Sequence, residues 1–331
     1  MTSYRAFRVE RDADKNYSRH IATLDSADLP DGELLVDVRH SSLNYKDALS
    51  ATGNPGVTRN FPHTPGIDAA GTVLESASDE FAAGDDVIVI GFDLGMGTPG
   101  GYGERIRVPA GWAVKRPSEL TERDAMIIGT AGFTAALCVH KLEAAGLAPG
   151  QGPVLVTGAS GGVGSISVML LAQLGYEVAA VTGKTAAQDL LRTLGASSFL
   201  TREEAAEGAA KPLLGERWAG VVDTVGGEIL FNAIKSLRYG GSLAACGLVA
   251  SPQVDASVLP FILRHVNWLG VDSVQLPVEQ KAAIWRKLAA DWRLESLDRV
   301  AVDLTLEDLS PAIDKILAGD MIGRGIVTLQ S

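Results

Sequence analysis

Residues 154 to 175 read VLVTGASGGVGSISVMLLAQLG. An apolar run passes straight into a turn holding Gly158, Gly161, Gly162 and Gly164, and the turn passes straight into an apolar helical pattern. Few arrangements satisfy that order. The glycines let the backbone turn sharply and approach a pyrophosphate closely, and the following helix N-terminus supplies free N–H groups and a positive dipole end. The turn is not a literal G-x-G-x-x-G, because Ser160 holds the middle position. Its setting, directly after a strand and before a helix, is what makes it specific. Ser160, Gly161, Gly162 and Val163 are the expected phosphate contacts. The competing reading is a nucleotide-free sheet that uses the glycines only for packing.

The residues that follow keep the same rhythm. EVAAVTG, AAQDLLRTLGA, AGVVDTVGG, EILFNAIKSLRYGG and SLAACGLV alternate short β-rich runs with helical stretches. Such alternation means βαβ units and a doubly wound parallel sheet. The first third differs in texture. LLVDVRH, GTVLES, DDVIVIG and ERIRVP are short strands between Gly, Pro and Asp turns, which suggests a compact β-barrel-like domain. With 331 residues the chain is long enough for two domains. The expected division is an α/β chain with a catalytic domain at 1–124 and 275–331 and a Rossmann domain at 125–274.

The end of the second strand of the nucleotide domain selects the dinucleotide. NAD enzymes usually carry Asp or Glu there to grip the ribose hydroxyls. This chain has Thr182, Gly183 and Lys184, with Arg202 after the next strand-like run. A hydroxyl, a bare amide and two cations suit a 2′-phosphate, so NADP is expected. The competing reading makes Lys184 a solvated charge at a helix start.

Charge and cysteine content exclude several classes. The formal net charge of -11 opposes non-specific nucleic-acid binding. The two cysteines, Cys138 and Cys246, lie in apolar runs and form neither a disulfide scaffold nor a Cys-x-x-Cys metal pair. They read as small buried hydrophobes. The N-terminal MTSYRAFRVERDADKN has no apolar signal region, and no window suggests a membrane span. A cytoplasmic protein is expected.

Taken together, SSLNYKDAL, RNFP..PGID.AGTV, MIIGTAGFTAALCV, VTGASGGVGS, VDTVGG, AACGL, PFILR.V and GVDSV resemble the medium-chain dehydrogenase/reductase superfamily, in its zinc-free acrylyl-CoA reductase and quinone oxidoreductase branch. The resemblance spans essentially the whole chain. It implies a GroES-like catalytic domain, a Rossmann domain and a C-terminal return to the first domain. Zinc-dependent members carry a ligand Cys where this chain has Asn44-Tyr45, and His-Glu where it has Ile67-Asp68. No zinc is therefore expected. The resemblance further implies cofactor contacts from Leu248, and from Ile262 and Ser273 beside the nicotinamide. The segment ASPQVDASV departs from the Gly-rich form expected after AACGL.

SSLNYKDAL, residues 41 to 49, is the remaining question. Read from the residues alone, Asn44 caps a short helix ending near Gly53, with Asp47 in its first turn. By resemblance the segment borders the nicotinamide. Tyr45 then contacts the cofactor and, with Asn44, is the catalytic candidate. A phenol keeps its proton at neutral pH and can donate it to an enolate. The competing role for Tyr45 is to shape the nicotinamide pocket.

Three activities fit these expectations: NADPH-dependent reduction of a short enoyl-CoA, NADPH-dependent quinone reduction, and non-catalytic NADPH binding. Lys46, Arg59, Arg264 and Arg324 are candidates for CoA phosphates. The β-branched run VNWLGVDSV reads as a sheet edge that pairs with a second copy.

Overall fold

The computed structural model describes residues 3–330. The chain opens with β1 (Ser3–Arg11), β2 (Tyr17–Asp25), β3 (Leu34–Leu43), α1 (Tyr45–Ala51), β4 (Asp68–Ser76), β5 (Asp86–Ile90), β6 (Arg105–Val108) and β7 (Ala113–Lys115). Next come α2 (Glu122–Ala144), β8 (Val154–Val156), α3 (Gly162–Gln173), β9 (Val178–Val181), α4 (Gln188–Thr193), β10 (Ala196–Leu200), α5 (Arg202–Ala206), β11 (Trp218–Asp223), α6 (Gly227–Lys235), β12 (Leu237–Ala245), α7 (Leu259–Arg264) and β13 (Asn267–Gly270). It closes with α8 (Val278–Ala289), β14 (Ala301–Leu304), α9 (Leu309–Leu317) and β15 (Arg324–Thr328).

Two compact units result. The first runs to Thr130 and adds Val274–Asp291 and the segment from Val300. Its seven-stranded sheet has the order β14-β15-β3-β4-β5-β7, with β6 also on β3, and β1 and β2 form a separate antiparallel pair. β3 lies inside the sheet between β15 and β4 and is buried at both ends, and Leu34, Val36 and Val38 meet Val87, Val89 and Ile106 in the core. Each such side chain contributes roughly 1.5–3 kcal/mol by leaving water. α9 presents Leu309, Ala312 and Ile313 at helical spacing to that core and packs on α1. The last strand, β15, pairs antiparallel to β3 with Gly325 opposite Leu43. That register brings Arg324 beside the β3–α1 junction.

The second unit comprises Ala131–Ser273 and Trp292–Arg299. Its six strands run β10-β9-β8-β11-β12-β13, all parallel. The order reverses at β8, the first strand, so the loop after β8 opens at the switch point where such sheets bind ligands. β8, β9 and β11 are buried throughout, as a sheet covered on both faces requires.

The units divide at 130/131 and 273/274, where the sequence reading put 124/125 and 274/275, and two segments account for the difference. Residues 125–130 stay with the first unit because Thr130 is bonded to Asp68 there. Trp292–Arg299 joins the second, where Trp292 packs edge-on against His140. Contrary to expectation, one described helix, α2, is long and apolar enough to cross a membrane. It is a core helix here: 83% of its apolar window is buried, and Gly129 breaks it at φ 48°. Cys138 is buried as expected, whereas Cys246 is half-buried.

Candidate functional site

In the second unit the phosphate loop follows β8. Gly158 sits at φ 59°, and a Cβ there would come within 2.3 Å of Thr224 Oγ1. Gly164 has no room either, because a Cβ would meet Gly158 O at 2.3 Å. These two glycines close the turn and seat the helix on it. Gly161 differs, since its Cβ would meet only Gly158 O, at an ordinary 3.4 Å. Its bare face is the cradle a phosphate would approach. Gly161 is the N-cap of α3, Gly162 and Val163 are its first residues, and all three are half-buried.

The loop rests on a polar platform that sequence reading missed. Thr157 donates to Asp223 Oδ1 at 2.6 Å, and Gly226 N donates to Asp223 Oδ2 at 2.8 Å. Thr224 N and Oγ1 return bonds to Thr157. Burial pushes the Asp223 carboxyl up, and these donors pull the other way. The available signal was the Asp-Thr pair ending the apolar run AGVVDT.

The expected 2′-phosphate group comes together. Ser160 Oγ accepts from Thr182 Oγ1 at 3.3 Å, and Lys184 N donates to Thr182 Oγ1 at 3.1 Å. A Cβ on Gly183 would meet Arg202 Nε at 2.9 Å, so the guanidinium lies directly over the bare glycine. Arg202 itself is exposed. No carboxylate stands at the end of β9, and the donor set fits a phosphate on the ribose.

Leu248 and Ile262 are exposed, at 61% and 69%. Ser273 is buried and accepts from Thr134 Oγ1 at 2.8 Å. The ASPQVDASV segment folds back on the sheet, with Ala250 N donating to Val225 O at 2.8 Å.

In the first unit, α1 begins at Tyr45 with Asn44 as N-cap. Asn44 N donates to Asp47 Oδ2 at 2.8 Å, a capping-box bond, where the expectation for Asp47 was only a favourable charge in the first turn. The rest was not foreseen. Asn44 Nδ2 donates to Asp47 Oδ2 at 3.1 Å and Asp68 Oδ2 at 2.9 Å, and Asn44 Oδ1 accepts from Arg324 Nη1 at 3.0 Å. Asp68 also accepts from Ser42 Oγ, from Thr130 N at 2.9 Å and from Thr130 Oγ1 at 2.5 Å. Tyr45 is 39% exposed, and its hydroxyl makes no hydrogen bond among the described residues.

Two of the four CoA-phosphate candidates must be withdrawn. Arg324 is 2% exposed and spends its donors on Ile127 O, Leu43 O, Asn44 Oδ1 and Ser42 Oγ. The Arg264 guanidinium donates to the carbonyls of Leu214, Lys235 and Leu237. Both are consumed by the fold. Arg59 uses only Nε, on Pro55 O, and is exposed, and Lys46 is half-buried.

Asp47 is fully buried, and its carboxyl is pushed up to about 7, first by burial and then by the charge of Asp68. An unfolded Asp titrates near 4. Between those values the unfolded chain sheds a proton that the folded chain keeps, so this group's contribution is full below about pH 4 and is lost by about pH 7. Asp47→Asn removes the titration. The variant is expected to show a smaller fall in urea midpoint between pH 5 and pH 7.5 than the parent. Equal slopes would count against it.

Comparison with known proteins gives a consistent result. The family described as "Alcohol dehydrogenase GroES-like domain" matches residues 30–118, and that described as "Zinc-binding dehydrogenase" matches residues 162–290. The probable acrylyl-CoA reductase AcuI of Escherichia coli (strain K12) is 46% identical over 93% of this chain and 94% of its own. The putative quinone oxidoreductase YhfP of Bacillus subtilis (strain 168) is 43% identical over 99% of both, and its structure with NAD bound superposes with a TM-score of 0.96. The yhdH oxidoreductase of Salmonella enterica, solved in complex with NADP, is 44% identical, with 98% of this chain and 100% of that chain covered and a TM-score of 0.95.

Proposed function

This chain belongs to the medium-chain dehydrogenase/reductase superfamily, in the branch of acrylyl-CoA reductases and quinone oxidoreductases, and from that premise we propose that it uses NADPH to reduce the carbon–carbon double bond of a short enoyl-CoA, most simply acrylyl-CoA to propionyl-CoA. The observation that carries the reading is the near-full-length match, at 46% identity, to the probable acrylyl-CoA reductase AcuI.

The chain's own groups divide the work. Gly161 and the first amides of α3 would hold the pyrophosphate, and Gly183, Lys184 and Arg202 would hold the 2′-phosphate. Leu248, Ile262 and Ser273 would border the rest of the dinucleotide. NADPH, when bound, supplies the hydride that adds to the β-carbon. Tyr45 keeps a proton at Oη that it donates toward the enolate oxygen, stabilising the charge as it develops. Asn44 holds the turn from which Tyr45 projects. One hydride at the β-carbon and one proton at the α-carbon, passed from Tyr45 Oη as the enolate collapses and replaced on the phenolate from solvent, give the saturated thioester. Acrylyl-CoA has a very small acyl group, so the CoA handle must supply most of the positioning energy. Lys46 and Arg59 are the remaining cations suited to its phosphates, working against the net charge of -11.

The test follows NADPH oxidation with acrylyl-CoA and with a soluble quinone across a salt series. Turnover of acrylyl-CoA is expected to be the faster and to weaken as salt rises, and the neutral quinone to respond little. Quinone turnover without acrylyl-CoA turnover would establish the second reading, which the match to YhfP favours. Oxidation with neither would leave a non-catalytic NADPH-binding protein.

The reading includes a homodimer in the cytoplasm. Two free cysteines fit a reducing compartment. β13 is the unpaired end of the six-stranded sheet and carries Trp268 at 40% exposure, with Leu263 at 56% nearby. Such an edge pairs with its own copy. Sedimentation at micromolar concentration is expected to give a dimer, and Trp268→Glu to weaken it roughly 30-fold or more, as loss of an interface Trp does. A monomeric parent would overturn this assembly.

A further inference from the structure

We propose that Arg324 is a positioning residue for Tyr45: a buried guanidinium on the last strand that locks Asn44 in one orientation and thereby sets the turn that presents the phenol. The inference rests on the reading that Tyr45 works at the reacting centre.

Tyr45 cannot place itself, because its hydroxyl bonds to nothing among the described residues and the residue is 39% exposed. Its position comes from the backbone, and the backbone turns at Asn44. The Asn44 amide is held by opposite polarities. Its oxygen faces the Arg324 guanidinium at 3.0 Å, and its nitrogen faces the Asp68 carboxylate at 2.9 Å and Asp47 at 3.1 Å. Turning the amide over would set oxygen against oxygen on one side and N–H against N–H on the other. The cation therefore decides which way Asn44 points.

Charge and shape both require an arginine. Two buried carboxyl groups, Asp47 and Asp68, converge here, and Arg324 is the cation that meets them, with Asp68 Oδ2 at 3.8 Å. Its planar fork reaches Ile127 O at 3.0 Å, Leu43 O at 3.3 Å and Ser42 Oγ at 2.9 Å at the same time as Asn44. An ammonium donates from a single point and cannot span that spread. The direct bond from Asn44 to Asp68 also joins the two positions at which zinc enzymes of the resembled superfamily carry ligands. In this chain a fixed guanidinium ties them together.

The test compares Arg324→Lys with the parent. A merely structural role would lower stability and leave turnover per folded molecule unchanged. Positioning predicts a fall in kcat of tenfold or more with the KM for NADPH within twofold. It also predicts faster hydrogen exchange at the Tyr45–Asp47 amides, with β1 and β2 unchanged. In a Tyr45→Phe background, Arg324→Lys should cost little further. A kcat within twofold of the parent, or the full loss repeated in the Phe background, overturns the proposal. The exchange readout is independent of turnover, so a failure of the proposed reaction is distinguished from a failure of positioning. If Arg324→Lys does not fold, Ser42→Ala removes one partner of the guanidinium together with one donor to Asp68 and keeps the charges. The same pattern at smaller amplitude supports the proposal, and unchanged exchange and kcat refute it.

Discussion

Replacing Tyr45 by Phe is expected to lower kcat for acrylyl-CoA by roughly 10²-fold while the KM for NADPH barely moves, the usual size of a lost proton donor. The substitution keeps the ring and removes only the hydroxyl. In the structure that hydroxyl has no partner in the described chain, so its loss breaks no internal hydrogen bond and leaves no buried group unsatisfied. An effect on rate would therefore report on the reaction and not on the fold. Tyr45→Ala is expected to add a weaker affinity for NADPH, because the ring is lost as well. A Phe variant with parental kcat would take Tyr45 out of the proton transfer and leave α-carbon protonation to solvent.

The second large effect concerns the cofactor. Lys184→Ala combined with Arg202→Ala is expected to reduce kcat/KM for NADPH by about 10²-fold and to leave NADH nearly unaffected. Hydrogen bonds to charged groups stabilise by roughly 1.5–3 kcal/mol each, and two are removed. Arg202 lies over Gly183, so a guanidinium that binds the 2′-phosphate there would not have to be brought in first. Little ordering entropy then opposes binding. A double variant that keeps the parental preference for NADPH would mean that the loop at Ser160 and Thr182 makes the selection instead.

The residues divide by how far their information reaches. The phosphate loop was legible because the pattern it needs is local: a β-rich run, a glycine-rich turn whose Gly164 leaves no room for a Cβ against Gly158 O, and a helix start, all within 22 residues. Thr182, Gly183 and Lys184 were legible for the same reason, as they end the neighbouring strand. Asn44 as the residue before the helix and Asp47 in its first turn are three residues apart, so both positions could be read directly, although the bond from Asn44 N to Asp47 was not foreseen.

Arg324 was misread as a candidate for a phosphate because a lone arginine before an apolar strand carries no sign of its partner. Its partners are 280 and 282 positions away, and they become neighbours only when β15 pairs with β3 with Gly325 opposite Leu43. Asp68 gave as little away, since an acidic residue opening an apolar strand reads as a turn until Thr130, Ser42 and Asn44 close around it. Local periodicity and turn chemistry thus determined the fold class, the nucleotide loop and the helix that carries Tyr45. Tertiary structure alone decided which charges are buried together, because burying a cation beside two carboxyl groups depends on strand pairing across the whole chain, and only that burial turns an ordinary arginine into a fixed part of the site.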